Sequence, residues 1–338
     1  TYRRPKLIWV VVAESRVKRP ISIGVDATGM HTRVPRLVER AYERLLQRDI
    51  DGAPDHVAVI QDGNRRYARE RGDGAADGHR EGARTTERVL RWCQDLGVEE
   101  LTLYAFSTEN FDRPPAERAH LFDLIESKLR SFADREEVHE NGVCIRALGE
   151  VHRLPERVRD AVAYAEERTG DYDRFRLNVA LAYGGRAELL GAARETLRSV
   201  AAGDLDPADV DAAEIERRLY ARPVRDVDLI VRTGGDERTS NFLPWHANGN
   251  EAAVYFCAPY WPEFSKIDFL RAIRTYESRE ASWRHTRRER AAALVRAVAG
   301  SSLVETREVI GRLRNQLPNG GTDELTAELD HGDAGTTE

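Results

Sequence analysis

Three short polar clusters in the chain carry residue types that bind phosphate and Mg²⁺. The clusters are Asp62-Gly63-Asn64-Arg65-Arg66, Ser107-Thr108-Glu109-Asn110 and Arg232-Thr233-Gly234-Gly235. Backbone N–H groups near a helix start bind phosphate, and arginine forks hold diphosphate oxygens in a bidentate manner. A carboxylate is a ligand that Mg²⁺ uses beside substrate phosphates. Together the clusters indicate a binding site for a metal-bound diphosphate.

Each cluster also has an ordinary structural interpretation when it is taken alone. Asp-Gly-Asn is common in turns, Ser-Thr-Glu-Asn is typical of helix caps, and an arginine before two glycines suits a solvated tight turn. The chain has neither the P-loop nor the Rossmann glycine signature, so a nucleotide is not indicated. A functional site therefore requires that the three clusters come together in space.

Each cluster directly follows a short apolar run that is rich in β-branched and aromatic residues. Runs of this type lie at 56–61, 100–106, 143–148, 175–182 and 227–231. Amphipathic helical patterns lie between and beyond them, at 89–96, 121–132, 155–168, 185–201, 211–220 and 267–277. The alternation predicts an α/β fold with a single doubly wound, mainly parallel sheet flanked by helices. Because ligands bind at the carboxyl ends of such strands, we expect the clusters to meet at one edge of the sheet.

The composition argues against a nucleic-acid partner. The net charge is −6, and the segment after Arg314 contains acidic residues but no Lys or Arg, so the preceding body is not basic. The cysteines Cys93, Cys144 and Cys257 are far apart and form no metal-ligand spacing, which is typical of a reducing compartment. No apolar run approaches the ~20 residues of a membrane span. We expect a cytoplasmic protein that binds no nucleic acid.

The chain divides into three regions by composition. Met30 is the sole methionine and precedes an amphipathic stretch, which is typical of a translation start. We interpret residues 1–29 as an N-terminal extension, either a start-site artefact or a disordered arm. Residues 30–300 are predicted to form the catalytic domain. Residues 301–338 form an acidic tail rich in Gly and Thr, which we expect to be largely disordered.

Four segments identify a family resemblance. HVAVIQDGNRRYARERG, LTLYAFSTENFDRP, DLIVRTGGDERTSNFLPWHANGNEAAVYF and WPEFSKIDFLRAI resemble the cis-prenyltransferases, whose best-known member is undecaprenyl diphosphate synthase. The match runs in order over residues 50–277. It implies a homodimeric, Mg²⁺-dependent enzyme that adds isopentenyl diphosphate units to an allylic diphosphate, geranylgeranyl or farnesyl. The implied product is a long cis-polyprenyl (undecaprenyl-like) diphosphate, a precursor of glycosyl carrier lipid.

The resemblance also implies a role for individual residues. Asp62 would hold Mg²⁺ and assist departure of the allylic diphosphate, and Asn110 would position the incoming unit or take up its proton. Glu251 would be a further metal ligand, contributed across the dimer. The implied substrate-binding residues are Gly63, Asn64, Arg65, Arg66, Tyr67, His79, Ser107, Thr108, Glu109, Phe111, Arg113, Arg232, Arg238, Thr239 and Ser240.

Several positions depart from the family pattern. Arg65 replaces a glycine, Tyr67 and Phe111 replace tryptophans, and Ala75 stands where bacterial members often carry an arginine. These changes leave the reaction class intact but alter the phosphate contacts. Because they lean away from the bacterial pattern, geranylgeranyl diphosphate is favoured over farnesyl diphosphate as the primer.

The pattern at 121–132 has a broad apolar face. Its members are Leu121, Leu124, Ile125, Lys128, Leu129 and Phe132. The face could simply belong to the core, but the resemblance implies that it forms one wall of a tunnel for the growing chain. Since the product is a lipid, the resemblance also implies transient contact with the membrane surface, with the enzyme peripheral at the membrane.

Two competing interpretations remain open at the level of sequence. The first is a non-catalytic partner subunit of a cis-prenyltransferase complex, although such chains tend to lose the Asp-Gly-Asn and arginine clusters. The second is an unrelated phosphate-ester enzyme on a doubly wound fold, which would not explain the ordered set of motifs.

Overall fold

A computed structural model of the protein describes residues 36–219, 225–249 and 252–298. The described residues from Tyr42 onward form one compact unit. The predicted extension at 1–29, the acidic tail at 301–338 and the candidate metal ligand Glu251 lie outside the described residues, and so do the predictions made for them.

The described residues form one six-stranded sheet in which every pair of neighbours is parallel. The strands are β1 (His56–Ile60), β2 (Glu100–Ser107), β3 (Val143–Leu148), β4 (Phe175–Tyr183), β5 (Leu229–Arg232) and β6 (Ala253–Phe256). Their order across the sheet is β3-β4-β2-β1-β5-β6. The five predicted strands are confirmed, whereas the edge strand β6 was not predicted.

The helices are α1 (Arg36–Arg48), α2 (Asn64–Glu70), α3 (Ala75–Asp95), α4 (Pro115–Ala133), α5 (Glu136–Glu140), α6 (Glu156–Thr169), α7 (Gly185–Ala202), α8 (Ala212–Leu219), α9 (Pro244–Gly249) and α10 (Lys266–Val298). The helices predicted at 155–168, 185–201 and 211–220 agree with these bounds within one residue, whereas α3 and α4 begin well before the predicted starts at 89 and 121. The prediction that a helix ends at 277 was wrong. Beyond that point the chain is rich in Ala, Arg and Glu, which favour a helix even where the apolar pattern fades.

Both faces of the sheet are covered. Along β1, Val57 and Val59 belong to one hydrophobic core, while Ala58 and Ile60 belong to a second core on the opposite face. Side chains of α3, α4, α6 and α10 pack in the first core, and side chains of α7 and α8 pack in the second. This confirms the doubly wound sheet and explains why the strands are apolar throughout rather than alternating.

The strand order places a crevice between β1 and β5. After β1 the chain crosses to β2 on one side, and it later returns to β5 on the other side of β1. Ile60 pairs with Arg232 in this register, so the segments that follow the two strands lie side by side. Such a switch point is where doubly wound sheets bind their ligands.

Candidate active site

The turn after β1 begins with Asp62 and Gly63. Gly63 has φ +100°, and a Cβ atom at this position would lie 2.5 Å from Cδ1 of Tyr260. The backbone N–H of Gly63 donates to Oδ1 of Asp62 at 2.7 Å. Glycine is therefore required both for the left-handed conformation and for the close packing that orients the Asp62 carboxylate.

The backbone of Asp62 is fixed by the segment that follows β5. The Asp62 N–H donates to Oγ1 of Thr233 at 3.1 Å, and the Thr233 hydroxyl donates to the Asp62 carbonyl oxygen at 2.8 Å. The backbone N–H of Trp261 also donates to this carbonyl oxygen, at 2.9 Å. These bonds join the first and third polar clusters, which confirms that the two meet at one edge of the sheet.

Arg232 connects the carboxylates at this edge. Its side chain is 3% exposed, and Nη2 donates to Oδ2 of Asp62 at 2.7 Å and to Oδ2 of Asp236 at 3.1 Å. Its Nη1 donates to the carbonyl oxygen of Arg238 at 2.6 Å. Arg232 therefore ties the carboxylate of the first cluster to the loop that carries Arg238.

Two arginines keep Asp62 ionised. Burial alone would raise the pKa of Asp62, but the hydrogen bond and charge of Arg232 and the charge of Arg66 outweigh it. Nη2 of Arg66 lies 3.1 Å from Oδ1 of Asp62. The net result is a pKa below the usual value of the aspartic carboxyl, so a negative charge is held at the base of the crevice.

Glu117 is a second organising carboxylate, for which no role was predicted from the sequence. Its Oε1 lies 2.9 Å from Nη1 of Arg113, 3.5 Å from Nε of Arg65 and 3.8 Å from Nε2 of His79. The Glu117 side chain is 13% exposed. In the sequence it follows Pro114-Pro115 and reads as an ordinary acidic residue in the first turn of a helix, where the helix dipole favours it.

His79 is held as a neutral imidazole. Burial is the largest cause, and the charges of Arg113, His120 and Arg65 act in the same direction, whereas Glu117 opposes them. The pKa of His79 is lowered to about 4 as a result. At neutral pH, His79 therefore contributes a hydrogen-bonding group rather than a positive charge.

The second polar cluster forms a turn of 3₁₀-helix at Thr108–Asp112 after β2. The backbone N–H of Ser107 donates to Oδ1 of Asn110 at 3.1 Å, which fixes the Asn110 side chain. Asn110 faces the same cavity as Asp62. All three clusters therefore reach one edge of the sheet, as the strand predictions required.

A cavity of about 1020 Å³ opens at this edge. This volume is at the upper end of the range for small-molecule pockets, roughly 300–1,000 Å³. Its polar part is lined by Asp62, Asn64, Arg65, Arg66, His79, Asn110, Arg113, Asp236 and Arg238. Its apolar part is lined by Leu90, Leu103, Leu121, Leu124, Ile125, Leu129, Phe132, Ile145, Leu177 and Val179. The six residues predicted on the apolar face at 121–132 all line it.

The predicted site residues divide into two groups. Those that line the cavity are Asp62, Gly63, Asn64, Arg65, Arg66, His79, Asn110, Arg113 and Arg238. Those that do not line it are Tyr67, Ser107, Thr108, Glu109, Phe111, Arg232, Thr239 and Ser240. The Tyr67 ring instead stacks under the Arg71 guanidinium, 3.8 Å from the ring centre, and Phe111 packs edge-on against Phe106.

Trp261 and Asp236 also line the cavity, although neither was predicted from the sequence to act in the reaction. Trp261 is 1% exposed and donates from Nε1 to the carbonyl oxygen of Gly82 at 2.8 Å. A Cβ at Gly82 would lie 2.3 Å from Oδ1 of Asn64 and 2.9 Å from the Trp261 ring. The small residue at Gly82 therefore lets α3 pack closely against the first cluster.

The donors present fit Mg²⁺. Within the described ranges, no group of three or more His, Cys, Asp or Glu side chains could hold a metal alone. Mg²⁺ is usually bound by one or two carboxylates together with substrate phosphates, so a larger protein cage is not needed. Asp62 is 31% exposed, lines the cavity, pairs with Arg66 and Arg232, and has Asp236 as a neighbour through Arg232.

In the part of the chain that the structure covers, no helix is long and apolar enough to cross a membrane.

Comparisons with known proteins agree with this geometry. Residues 60–284 match a family model, Prenyltransf, that is described as "Putative undecaprenyl diphosphate synthase". A Halobacterium salinarum protein named tritrans,polycis-undecaprenyl-diphosphate synthase (geranylgeranyl-diphosphate specific) is 70% identical over 290 residues, which cover 86% of this chain and 96% of that protein. A Haloarcula marismortui protein of the same name is 64% identical over 304 residues, which cover 90% of this chain and 100% of that protein.

A solved structure gives the same result for the fold. The crystal structure of lavandulyl diphosphate synthase from Lavandula x intermedia, in complex with dimethylallyl diphosphate, superimposes with a TM-score of 0.63. Its sequence is 34% identical, and the match covers 66% of this chain and 95% of that chain.

Proposed function

Because the chain belongs to the undecaprenyl diphosphate synthase family of prenyltransferases, we propose that it extends geranylgeranyl diphosphate with isopentenyl diphosphate into a long cis-polyprenyl diphosphate. Each cycle forms a carbon–carbon bond between C1 of the allylic diphosphate and isopentenyl diphosphate. The C1–oxygen bond breaks, diphosphate leaves with its electron pair, and one proton is lost from the isopentenyl unit. The single observation that carries the proposal is one cavity with two parts. Its mouth is lined by arginine, aspartate and histidine side chains, and its interior is lined by apolar side chains.

The allylic diphosphate is proposed to bind between the first cluster and the start of α4. Arg65, Arg66 and Arg113 line this part of the cavity and carry three guanidinium groups. Neutral His79 adds a hydrogen-bonding group without further positive charge. Guanidinium groups bind phosphate oxygens in a fork, so this set both holds the primer and stabilises charge on the leaving diphosphate.

The diphosphate of isopentenyl diphosphate is proposed to bind at the loop after β5. Arg238 is 68% exposed and lines the cavity, so it is accessible to a soluble substrate. Arg232 lies beneath it and holds Asp62, Asp236 and the Arg238 carbonyl oxygen in fixed positions. In this proposal the two diphosphate sites share one hydrogen-bonded network around Arg232, so the two substrates would lie next to each other.

Asp62 is the residue that would hold Mg²⁺, and Glu251 is proposed as a further ligand. When bound, the metal would neutralise charge on the departing diphosphate. The Asp62 carboxylate suits this role because Arg232 and Arg66 keep it ionised and Gly63 orients it. Asn110, fixed by the Ser107 backbone, is proposed to position the isopentenyl unit or to accept its proton.

The preference for geranylgeranyl diphosphate is supported by two independent features. The two relatives at 70% and 64% identity are named as specific for that primer. In this chain, Arg65 and Ala75 both line the same cavity, so the added arginine and the position that lacks the bacterial arginine face one binding space. We propose that Arg65 supplies the phosphate contact that Ala75 cannot.

Homodimer formation and transient contact with a membrane surface are also proposed, because the family resemblance implies the first and an apolar product requires the second. Sedimentation of the purified protein, alone and with vesicles loaded with polyprenyl diphosphate, tests both. A monomer that never associates with vesicles during turnover would exclude them.

The direct test of catalysis uses the purified chain alone with Mg²⁺, geranylgeranyl diphosphate and labelled isopentenyl diphosphate. We expect incorporation of many labelled units per primer. If the chain were a non-catalytic partner subunit, it would incorporate no label by itself but would do so when a second cis-prenyltransferase chain is added.

A further inference from the structure

The apolar part of the cavity contains two charged residues. Glu87 on α3 and Lys128 on α4 both line it, among leucine, isoleucine and phenylalanine side chains. Oε1 of Glu87 lies 2.9 Å from Nζ of Lys128 and 3.0 Å from Nη2 of Arg135. We call Glu87, Lys128 and Arg135 the ion cluster. Charges in an apolar wall are costly unless they are paired, so their presence here needs an explanation.

A second, much smaller space lies on the other side of this wall. It has a volume of about 10 Å³, which is the space of a single water at most. Glu87, Leu90 and Phe132 line both this space and the large cavity. The small space continues towards Val138 and Val143. The wall between the two spaces is therefore one layer of side chains thick, and Glu87 belongs to it.

The wall lies far from the polar mouth. Leu121 and Phe132, the first and last residues of α4 that line the cavity, are eleven positions apart, or about 16 Å along the helix. His79 and Glu87 are two turns apart on α3. A product whose diphosphate stays at Arg65 and Arg113 would therefore extend its tail along α3 and α4 towards the ion cluster.

We propose that the ion cluster closes the far end of the cavity and sets the length at which chain extension stops. The side chains of Glu87, Lys128 and Arg135 are 21%, 41% and 31% exposed. A longer tail would have to push Glu87 away from both partners and remove water from these charges against an apolar chain, which is unfavourable. The inference rests on the proposed function, since it applies only if the cavity holds a growing chain.

The charge state of Glu87 agrees with this role. Burial alone would raise the pKa of Glu87, but hydrogen bonds from Arg135 and Lys128 outweigh it and lower the pKa. The carboxylate is therefore ionised at neutral pH, and the three side chains bridge α3 to the end of α4 by charge as well as by packing.

The test compares product lengths from the intact protein and from Glu87→Gln and Glu87→Ala variants. Each is given geranylgeranyl diphosphate, isopentenyl diphosphate and Mg²⁺, and products are resolved by mass spectrometry. Glu87→Gln removes the charge and keeps the volume, whereas Glu87→Ala also opens the wall. We expect the main product of Glu87→Gln to be at least one isoprene unit longer, and that of Glu87→Ala to be longer still.

The matched control is Arg157→Ala. Arg157 on α6 pairs with Asp123 of α4 at 2.5 Å and with Glu126 of α4 at 2.8 Å, so this variant also removes ion pairs of α4, but from residues outside the cavity lining. Its product length should not change. Lys128→Met serves as a second probe if a Glu87 variant does not fold; it leaves the Glu87–Arg135 pair and should give a smaller increase.

The outcomes are separable. Products of unchanged or shorter length from every folded ion-cluster variant, while the intact protein stops at a defined length, overturn the inference but leave the proposed function standing. No elongation by the intact protein means that the proposed function itself is wrong. An equal increase in Arg157→Ala would also overturn the inference, because general loosening of α4 would then be sufficient.

Discussion

At the scale of single residues, the site depends on carboxylates that are each paired with several positively charged side chains. Asp62 is surrounded by Arg66 and Arg232, and Glu117 by Arg65 and Arg113. Such pairing keeps the arginines in place before a diphosphate arrives. The same arrangement allows each carboxylate to be tested separately.

Asp62→Ala should reduce turnover by roughly 10³-fold, because the carboxylate that would hold the metal is lost beside the leaving diphosphate. The measurement is steady-state incorporation of labelled isopentenyl diphosphate, with circular dichroism to confirm folding. The exposed variant Asp123→Ala on α4 is a control that should retain activity. A folded Asp62→Ala protein with near-normal turnover would contradict the assignment.

Arg232→Ala should raise the KM for isopentenyl diphosphate by about 10–100-fold, since a buried arginine that organises the Arg238 loop is removed. The KM for the allylic primer should change less. The comparison variant is Arg238→Ala, in which an exposed contact is lost and the effect should be smaller. An unchanged KM for isopentenyl diphosphate would exclude this role for Arg232.

His79 should make the protein less stable in acid. The unfolded imidazole takes up a proton near pH 6.5, whereas the folded one does so only near pH 4, so stability falls as pH decreases through that window. The loss has an upper limit on the order of 3 kcal/mol. Denaturant titrations at several pH values should show this slope, and His79→Gln should flatten it. An identical slope in both proteins would show that other groups cause it.

At the scale of secondary structure, much of the fold could be predicted because buried parallel strands are short and continuously apolar. The pattern at 121–132 predicted all six cavity-lining residues of α4 for a different reason. Helical periodicity fixes which side chains share a face of the helix. The edge strand β6 was missed because it has only four residues and Val254 within it is exposed. The role of Glu117 was missed because only Arg113 is near it in sequence, whereas Arg65 and His79 reach it from distant segments that sequence spacing does not relate to it.

Two glycines in helices test the close packing of α3 against the first cluster. Gly82→Ala should destabilise the protein by about 1–3 kcal/mol, because its Cβ would meet Asn64 and Trp261. Gly191→Ala on α7 meets nothing within 4 Å and should be neutral or stabilising by about 0.5–1 kcal/mol. Free energies of unfolding from denaturant titration decide the matter. Equal effects of the two substitutions would mean that helix propensity, and not close packing, determines how Gly82→Ala changes the free energy of unfolding.

At the scale of the whole molecule, the strand order explains how distant segments form one site. The residues that meet at the mouth come from the ends of β1, β2 and β5, and Asp62 and Arg232 are 170 positions apart but share a 2.7 Å hydrogen bond. The polar mouth and the apolar interior are two ends of one cavity beneath α3 and α4. This arrangement suits a substrate with a charged head and a tail that lengthens in one direction.

The most direct test of the central claim is the structure of the product made by the purified protein from geranylgeranyl diphosphate and isopentenyl diphosphate. Mass spectrometry gives its length and nuclear magnetic resonance gives the geometry of its double bonds. We predict a long polyprenyl diphosphate in which the primer retains its trans bonds and every added unit is cis. Added units with trans geometry, or a primer recovered without extension, would contradict the account.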